Sequence, residues 1–167
     1  MLATREHQFA LMHSQYFGRV YRYIAYRVND SAKAEELTAD VFRVAWEKAS
    51  AEAPGVGWLL ATARNLISNE YRGRQRSQQL TERLEAQARM SAQQGVDTER
   101  AAVTEALLLL NDKDREILML SYWDGLTTSE LAETLNCSAS AAGVRLHRAR
   151  KAFARVVPAH LMMDRKG

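Results

Sequence analysis

The chain has 167 residues, 47% hydrophobic and 26% charged, with a formal net charge of +3; that supports packed cores, in one domain or two small ones, over disorder. Its single cysteine, Cys137, excludes an internal disulfide and a cysteine-based zinc cluster. No apolar run approaches the roughly 20 residues that span a bilayer, and the start, MLATREHQF, lacks the apolar segment of a secretory signal, so a cytoplasmic protein is expected.

Only Pro54 and Pro158 interrupt the chain and alternating β patterns are absent, which predicts an all-α protein. Helices are predicted near residues 5–28, 31–49, 57–73, 99–109, 112–122, 128–135 and 139–156. The first carries Tyr16, Phe17, Tyr21, Tyr23 and Tyr26, which together with Trp46 and Trp58 serve either as core or as stacking platforms for unpaired bases. The second starts at an Asp30 or Ser31 cap and turns Leu37, Val41, Val44 and Ala45 inward. Glu35, Glu36, Asp40 and Arg43 are left outside, as a protein-binding face or a solvated one. In the third, Leu59, Leu60, Ala63, Leu66 and Ile67 form an apolar face. Thr62, Asn65, Asn69, Arg72 and Arg76 follow at spacings of three and four, and Arg74 extends the positive charge. Such a stripe suits phosphates and base edges, and equally a plain solvated surface.

Residues 74–98 are rich in Gln, Ser, Ala and charge and poor in large apolar side chains. They read as a flexible linker with a transient helix around Thr81 to Met90, the alternative being a regular helix in one continuous bundle. Two domains are therefore expected, at residues 1–76 and 101–167, joined across 77–100.

The richest signal lies in TTSELAETLNCSASAAGVRLHRARK, from Thr127 to Lys151. Thr127 with Glu130 makes a capping box, and Leu126 with Leu131 a hydrophobic staple. Asn136 supplies a left-handed stop and Ser138 a second N-cap. From there Ala142, Leu146, Ala149 and Phe153 recur as one buried stripe, with Arg145, Arg148, Arg150 and Lys151 mostly off it. Small Ala132 and Ala142 let the two helices cross closely, as a helix-turn-helix requires. The alternative is an ordinary helical corner with a basic face. Charge is also segregated: residues 141–167 carry seven bases against Asp164 alone, whereas residues 101–140 carry seven acids against Lys113 and Arg115. One attractive and one repelling face would orient the chain on a polyanion.

Catalysis has no such support. His7, His13, His147 and His160 show no metal spacing, and Gly-rich phosphate loops and nucleophile elbows are absent, so neither an enzyme nor a cofactor is expected.

Three segments in order, AEELTADVFRVAW (Ala34–Trp46), WLLATARN (Trp58–Asn65) and DREILMLSYWDGLTTSELAETLNCSASAAGVRLHRARK (Asp114–Lys151), resemble the successive signatures of bacterial RNA polymerase sigma factors of the extracytoplasmic-function (ECF) group. The resemblance implies that residues through about Arg76 form region two, which docks on the polymerase clamp helices and recognises and melts the minus-ten element. Glu35, Glu36, Leu37, Asp40 and Arg43 match its clamp-binding segment. The loop at about Ala49 to Val56 is implied to help capture a flipped base, a step whose unstacking costs only a few kcal/mol. The DNA-facing residues implied there are Arg64, Asn65, Asn69, Arg72, Arg74 and Arg76. Residues from about Ala101 resemble region four, which reads the minus-thirty-five element in the major groove. Gly143, Val144, His147 and Arg148 match its base-facing positions, Arg145 a neighbouring phosphate position, and Ser140 and Lys151 complete the implied surface. An anti-sigma protein is the further partner implied.

The chain departs from the family pattern at Asn111, in place of a proline, where a helix cap is still expected; at Ala39, in place of a glutamine; and at Gly143, in place of a frequent basic residue. A two-domain regulator with only the C-terminal motif on DNA is the rival reading, and a helical enzyme a remoter one.

Overall fold

The computed structural model describes residues 2–48, 53–71, 74–94 and 98–157. Its regular structure there is helical throughout: α1 (Leu2–Val28), α2 (Ser31–Lys48), α3 (Val56–Tyr71), α4 (Arg74–Gln94), α5 (Thr98–Leu108), α6 (Asp112–Leu118) running into a π-helical turn (Met119–Trp123), α7 (Thr128–Leu135) and α8 (Ala139–Val156).

Local chemistry accounts for the breaks between elements. Asn29 adopts a left-handed conformation (φ 51°) that ends α1, and Asp30 Oδ1 accepts from Lys33 N to start α2. Thr127 and Glu130 form the reciprocal capping box, Asn136 is left-handed (φ 54°), and Ser138 Oγ accepts from Ala141 N. Asn111, the residue standing in place of a proline, caps α6 by accepting from Asp114 N at 2.8 Å.

The helices α1, α2 and α3 pack through Val20, Tyr23, Ile24, Leu37, Val41, Leu59, Leu60 and Ile67, all buried. The set α6, α7 and α8 packs through Ile117, Leu120, Leu131, Ala142, Leu146 and Ala149. Buried apolar residues continue from one set into the other, because α3 lies directly against α7. Gly57 permits that approach: a Cβ there would stand 2.6 Å from a Glu133 carboxylate oxygen and 3.0 Å from the Glu133 Cβ.

The connector differs from expectation. The flexible linker predicted over 77–100 is helical from Arg74 to Gln94, with Leu80 and Leu84 buried against α1 and α5. Two leucines four residues apart are enough to seat one face of an otherwise polar helix. Tyr26 Oη donates to Gln87 Oε1 at 2.8 Å, and Arg83 donates to Asn29 Oδ1.

Arg115, inside the DREIL segment, is 5% exposed and ties the second set together. Its guanidinium donates to the carbonyls of Leu107 (2.9 Å), Leu108 (3.1 Å) and Leu110 (2.7 Å), satisfying the C-terminal end of α5, and to Thr81 Oγ1 on α4 at 3.1 Å.

Tyr23 is fully buried, which removes it from the candidate base-stacking rings; Trp46 packs edge-on against Phe9, and Phe42 lies against His13. The Tyr23 hydroxyl meets no hydrogen-bond partner among the described residues, and burial pushes its pKa up to about 12. Tyr23→Phe should therefore raise stability by about 1 kcal/mol, since a buried hydroxyl without a partner is a net cost and the ring that Arg27 overlies at 3.8 Å is kept. Urea unfolding of the two proteins checks this; a loss above about 1 kcal/mol would mean that the hydroxyl is bonded.

Candidate nucleic-acid interface

Two helices carry the DNA-facing residues expected from the sequence. On α8 the stripe Ala142, Leu146 and Ala149 is buried against α6 and α7, which turns the opposite face to solvent. Ser140, Val144 (49% exposed), His147, Arg148 and Lys151 occupy that face at helical spacing. Gly143 lies beside them with nothing within 4 Å of a built Cβ, so a Cβ there meets no neighbour. Arg150 is turned aside, donating to Tyr122 Oη at 2.6 Å.

Arg145 takes another direction. It lines a cavity of about 440 Å³ between the two helix sets, together with Arg27, Arg64, Lys113, Arg115 and Glu116.

On α3, Asn65 and Asn69 are exposed, while the Thr62 hydroxyl is taken up by Trp58 O at 3.0 Å. Arg64 is half-buried and donates through Nε and Nη2 to Glu116 of α6, at 3.2 and 3.0 Å to Oε1. Although burial works against the charged form, the Glu116 carboxylate raises the guanidinium pKa above its ordinary value. In this structure Arg64 is thus engaged by Glu116 rather than free toward solvent. Arg72 lies outside the described residues, as do the side chains of Arg74 and Arg76 and residues 49–52 of the loop expected to capture a base.

On α2, Glu35, Glu36 and Arg43 are exposed, Glu36 pairs with Lys33 at 3.2 Å, and Arg43 bridges Asp40 (3.6 Å) and Glu47 (3.2 Å). These pairs lie in high dielectric and contribute little to stability, so they leave a charged face open to a partner. Leu37 is the exception among the expected polymerase-facing residues. At 3% exposure it points into the core, as the helical periodicity of α2 requires, and supports the face from beneath.

Further charges, not flagged in the sequence, lie where α1 and α3 meet the second set. Arg27 donates to Tyr23 O at 3.1 Å and to Asp124 Oδ2 at 3.0 Å, with side chains only 3% and 5% exposed. Burial raises the Asp124 carboxyl above the ordinary carboxylate range although Arg27 pulls it down. Arg19 donates to Asp124 O at 3.3 Å and approaches Glu130 at 3.8 Å, and Thr134 Oγ1 donates to Gly57 O at 3.3 Å. The Tyr26 and Trp123 rings meet at 4.9 Å.

An all-α chain with a capped helix-turn-helix at its C-terminal end and a second polar helix face in its N-terminal half defines a helical DNA-binding protein. Its relatives are specific. Residues 12–77 match Sigma-70 region 2 and residues 100–153 match Sigma-70, region 4. The chain is 31% identical over 137 residues to the ECF RNA polymerase sigma factor SigK of Mycolicibacterium vanbaalenii, covering 76% of this chain and 70% of that protein. It is 30% identical over 159 residues to the ECF RNA polymerase sigma factor BldN of Streptomyces coelicolor, covering 90% of this chain and 60% of that longer protein. In the co-crystal structure of the sigma factor RpoE with the anti-sigma factor NepR from Bartonella quintana, one chain shares the fold with a TM-score of 0.57 at 19% identity, over 89% of this chain and 95% of that one. The chain belongs to the ECF RNA polymerase sigma factors of the sigma-70 family. That family is one of transcription-initiation factors. Among the described residues no helix is long and apolar enough to cross a membrane.

Proposed function

We propose that this chain binds core RNA polymerase and directs it to promoters, residues 1–76 serving the minus-ten element and DNA melting and residues 101–167 the minus-thirty-five element, with 77–100 connecting them. The observation that carries this reading is the solvent-facing row Ser140, Val144, His147, Arg148 and Lys151 on a helix-turn-helix within a chain that also holds region two. Asn65 and Asn69 on α3, with Arg64 once released from Glu116 and with Arg72, Arg74 and Arg76, form the minus-ten surface. Gly143 and Arg145 complete the upstream one. Glu35, Glu36, Asp40 and Arg43 form the polymerase surface, held in place by buried Leu37.

The protein works in the cytoplasm, where polymerase and promoters are, and performs no catalysis itself; opening the duplex rests on capture of unstacked bases. An anti-sigma protein, of the kind present with the Bartonella sigma factor, is its regulator. Run-off transcription with purified core polymerase and promoter templates from the same host tests the proposal: specific starts that depend on this chain support it, and their absence overturns it.

Arg148→Ala should weaken upstream promoter binding by about 1–3 kcal/mol and relax selectivity at one base pair. Binding measured across a panel of single-base promoter variants checks this. A uniform loss over the whole panel would make Arg148 a phosphate contact instead.

A further inference from the structure

The cavity of about 440 Å³ between the two helix sets is not accounted for by the function proposed above, and its chemistry is one-sided. Five cations line it, Arg27, Arg64, Lys113, Arg115 and Arg145, against two acids, Asp112 and Glu116. Three of the guanidiniums already hold a carboxylate: Arg27 pairs with Asp124 at 3.0 Å, Arg64 with Glu116 at 3.0 Å and Arg115 with Asp112 at 3.3 Å. Lys113 and Arg145 make no hydrogen bond or ion pair among the described residues. Two positive charges on different helices, α6 and α8, thus border one space without a described carboxylate to neutralise them. We infer that this cavity is a binding site for a small oligophosphate, whose oxygens are shared between Lys113 and Arg145.

The lining favours phosphate over other small ligands. Leu80 is its single apolar residue among the described ones and no aromatic ring lines it, so neither a lipid tail nor a nucleobase gains a contact there. A guanidinium fork matches the oxygen pairs of phosphate, and the lysine ammonium adds a point charge on a flexible stem. Arg27 and Arg115 are only 2% and 5% exposed, so an anion beside them is screened less than at an open surface. Arg27 also overlies the ring of Tyr23, whose buried hydroxyl has no partner among the described residues. The volume lies within the range of about 300–1,000 Å³ usual for small-molecule sites, and a single phosphate fills little of it, which favours several phosphates in a chain.

Isothermal titration calorimetry of the full chain with sodium tripolyphosphate, at pH 7 and about 150 mM salt, tests this. One site per chain with a dissociation constant below about 100 µM is expected. Lys113→Glu should weaken binding at least tenfold, and Arg145→Gln at least fivefold. Lys113 is exposed in the first turn of α6, where an acid is favoured, so Lys113→Glu keeps the fold, as circular dichroism can verify. Arg155→Glu, the same charge change at an exposed position of α8, should alter the affinity by no more than about twofold.

Further ligands read the source of the phosphates. AMP and citrate should bind at least tenfold more weakly than tripolyphosphate. ATP matching tripolyphosphate assigns the site to the oligophosphate tail of a nucleotide, whereas ATP at least tenfold weaker assigns it to free oligophosphate.

Four results overturn the inference: a dissociation constant above about 1 mM, Lys113→Glu and Arg145→Gln each within about twofold of the parent, Arg155→Glu losing as much as Lys113→Glu, or citrate binding as tightly as tripolyphosphate. The titration needs neither polymerase nor promoter, so failure of run-off transcription and failure of this inference are distinguishable.

Discussion

Arg115→Ala should destabilise the chain by about 3–5 kcal/mol, although the residue touches neither of the proposed DNA surfaces. Its guanidinium is buried and serves the carbonyls of Leu107, Leu108 and Leu110, of which Leu107 O also accepts from Leu110 N at 3.2 Å. Removing it leaves the Leu108 and Leu110 carbonyls without this donor at the end of α5 and opens a void between α5, α4 and α6. Hydrogen bonds from a charged donor contribute about 1.5–3 kcal/mol each, and partial entry of water keeps the total below their sum. Arg115→Lys should recover only part of the loss, since a single ammonium on a flexible stem cannot span the three carbonyls that a planar fork does. Urea unfolding followed by circular dichroism measures both variants. A cost below about 1 kcal/mol for alanine would show that the α5 terminus is satisfied in another way. Because α8 packs on α6, DNA binding by Arg115→Ala should fall only as the folded fraction falls, in contrast to Arg148→Ala, whose fold stays intact.

Arg115 also marks the boundary of what the sequence makes legible. Features whose partners lie three or four residues away were readable: the Thr127–Glu130 capping box, the Asn136 stop and the Ser138 cap occur as expected, as does the buried stripe of α8 at Ala142, Leu146 and Ala149 with Phe153 only partly buried, and α7 and α8 begin and end where predicted. Such signals are local hydrogen bonds and a helical period, and both are written in neighbouring residues. The connector was misread because composition averages over 25 residues, whereas α4 needs only Leu80 and Leu84 to find its groove. Leu37 shows two lines of reading in conflict, periodicity placing it inward and family resemblance placing it on the polymerase face, and packing sides with periodicity. Arg27 and Asp124 were not legible at all. A lone arginine in one helix and a lone aspartate 97 residues later each read as surface charge, and only the approach of α1 to the turn after Trp123 makes them partners. The segregation of acidic and basic stretches was visible, and a repelling face was expected of it; that three of those acids, Glu116, Asp124 and Glu130, lie against arginines of the N-terminal half is a tertiary fact.

The Arg27–Asp124 pair yields the second large effect, and its sign depends on how many partners are removed. Asp124→Ala should destabilise the folded chain by about 3–5 kcal/mol, because Arg27 is left as an uncompensated charge where its side chain is only 3% exposed. The double replacement Arg27→Met with Asp124→Leu should be neutral or stabilising by about 1–4 kcal/mol, since two desolvated ions give way to apolar groups of similar size in a site already bounded by Tyr23 and Leu60. The single and double variants thus move stability in opposite directions from one starting pair, which separates an electrostatic contact from simple loss of packing. Urea midpoints at fixed salt and pH 7 read both. A double variant less stable than Asp124→Ala would mean that the pair is a net source of stability.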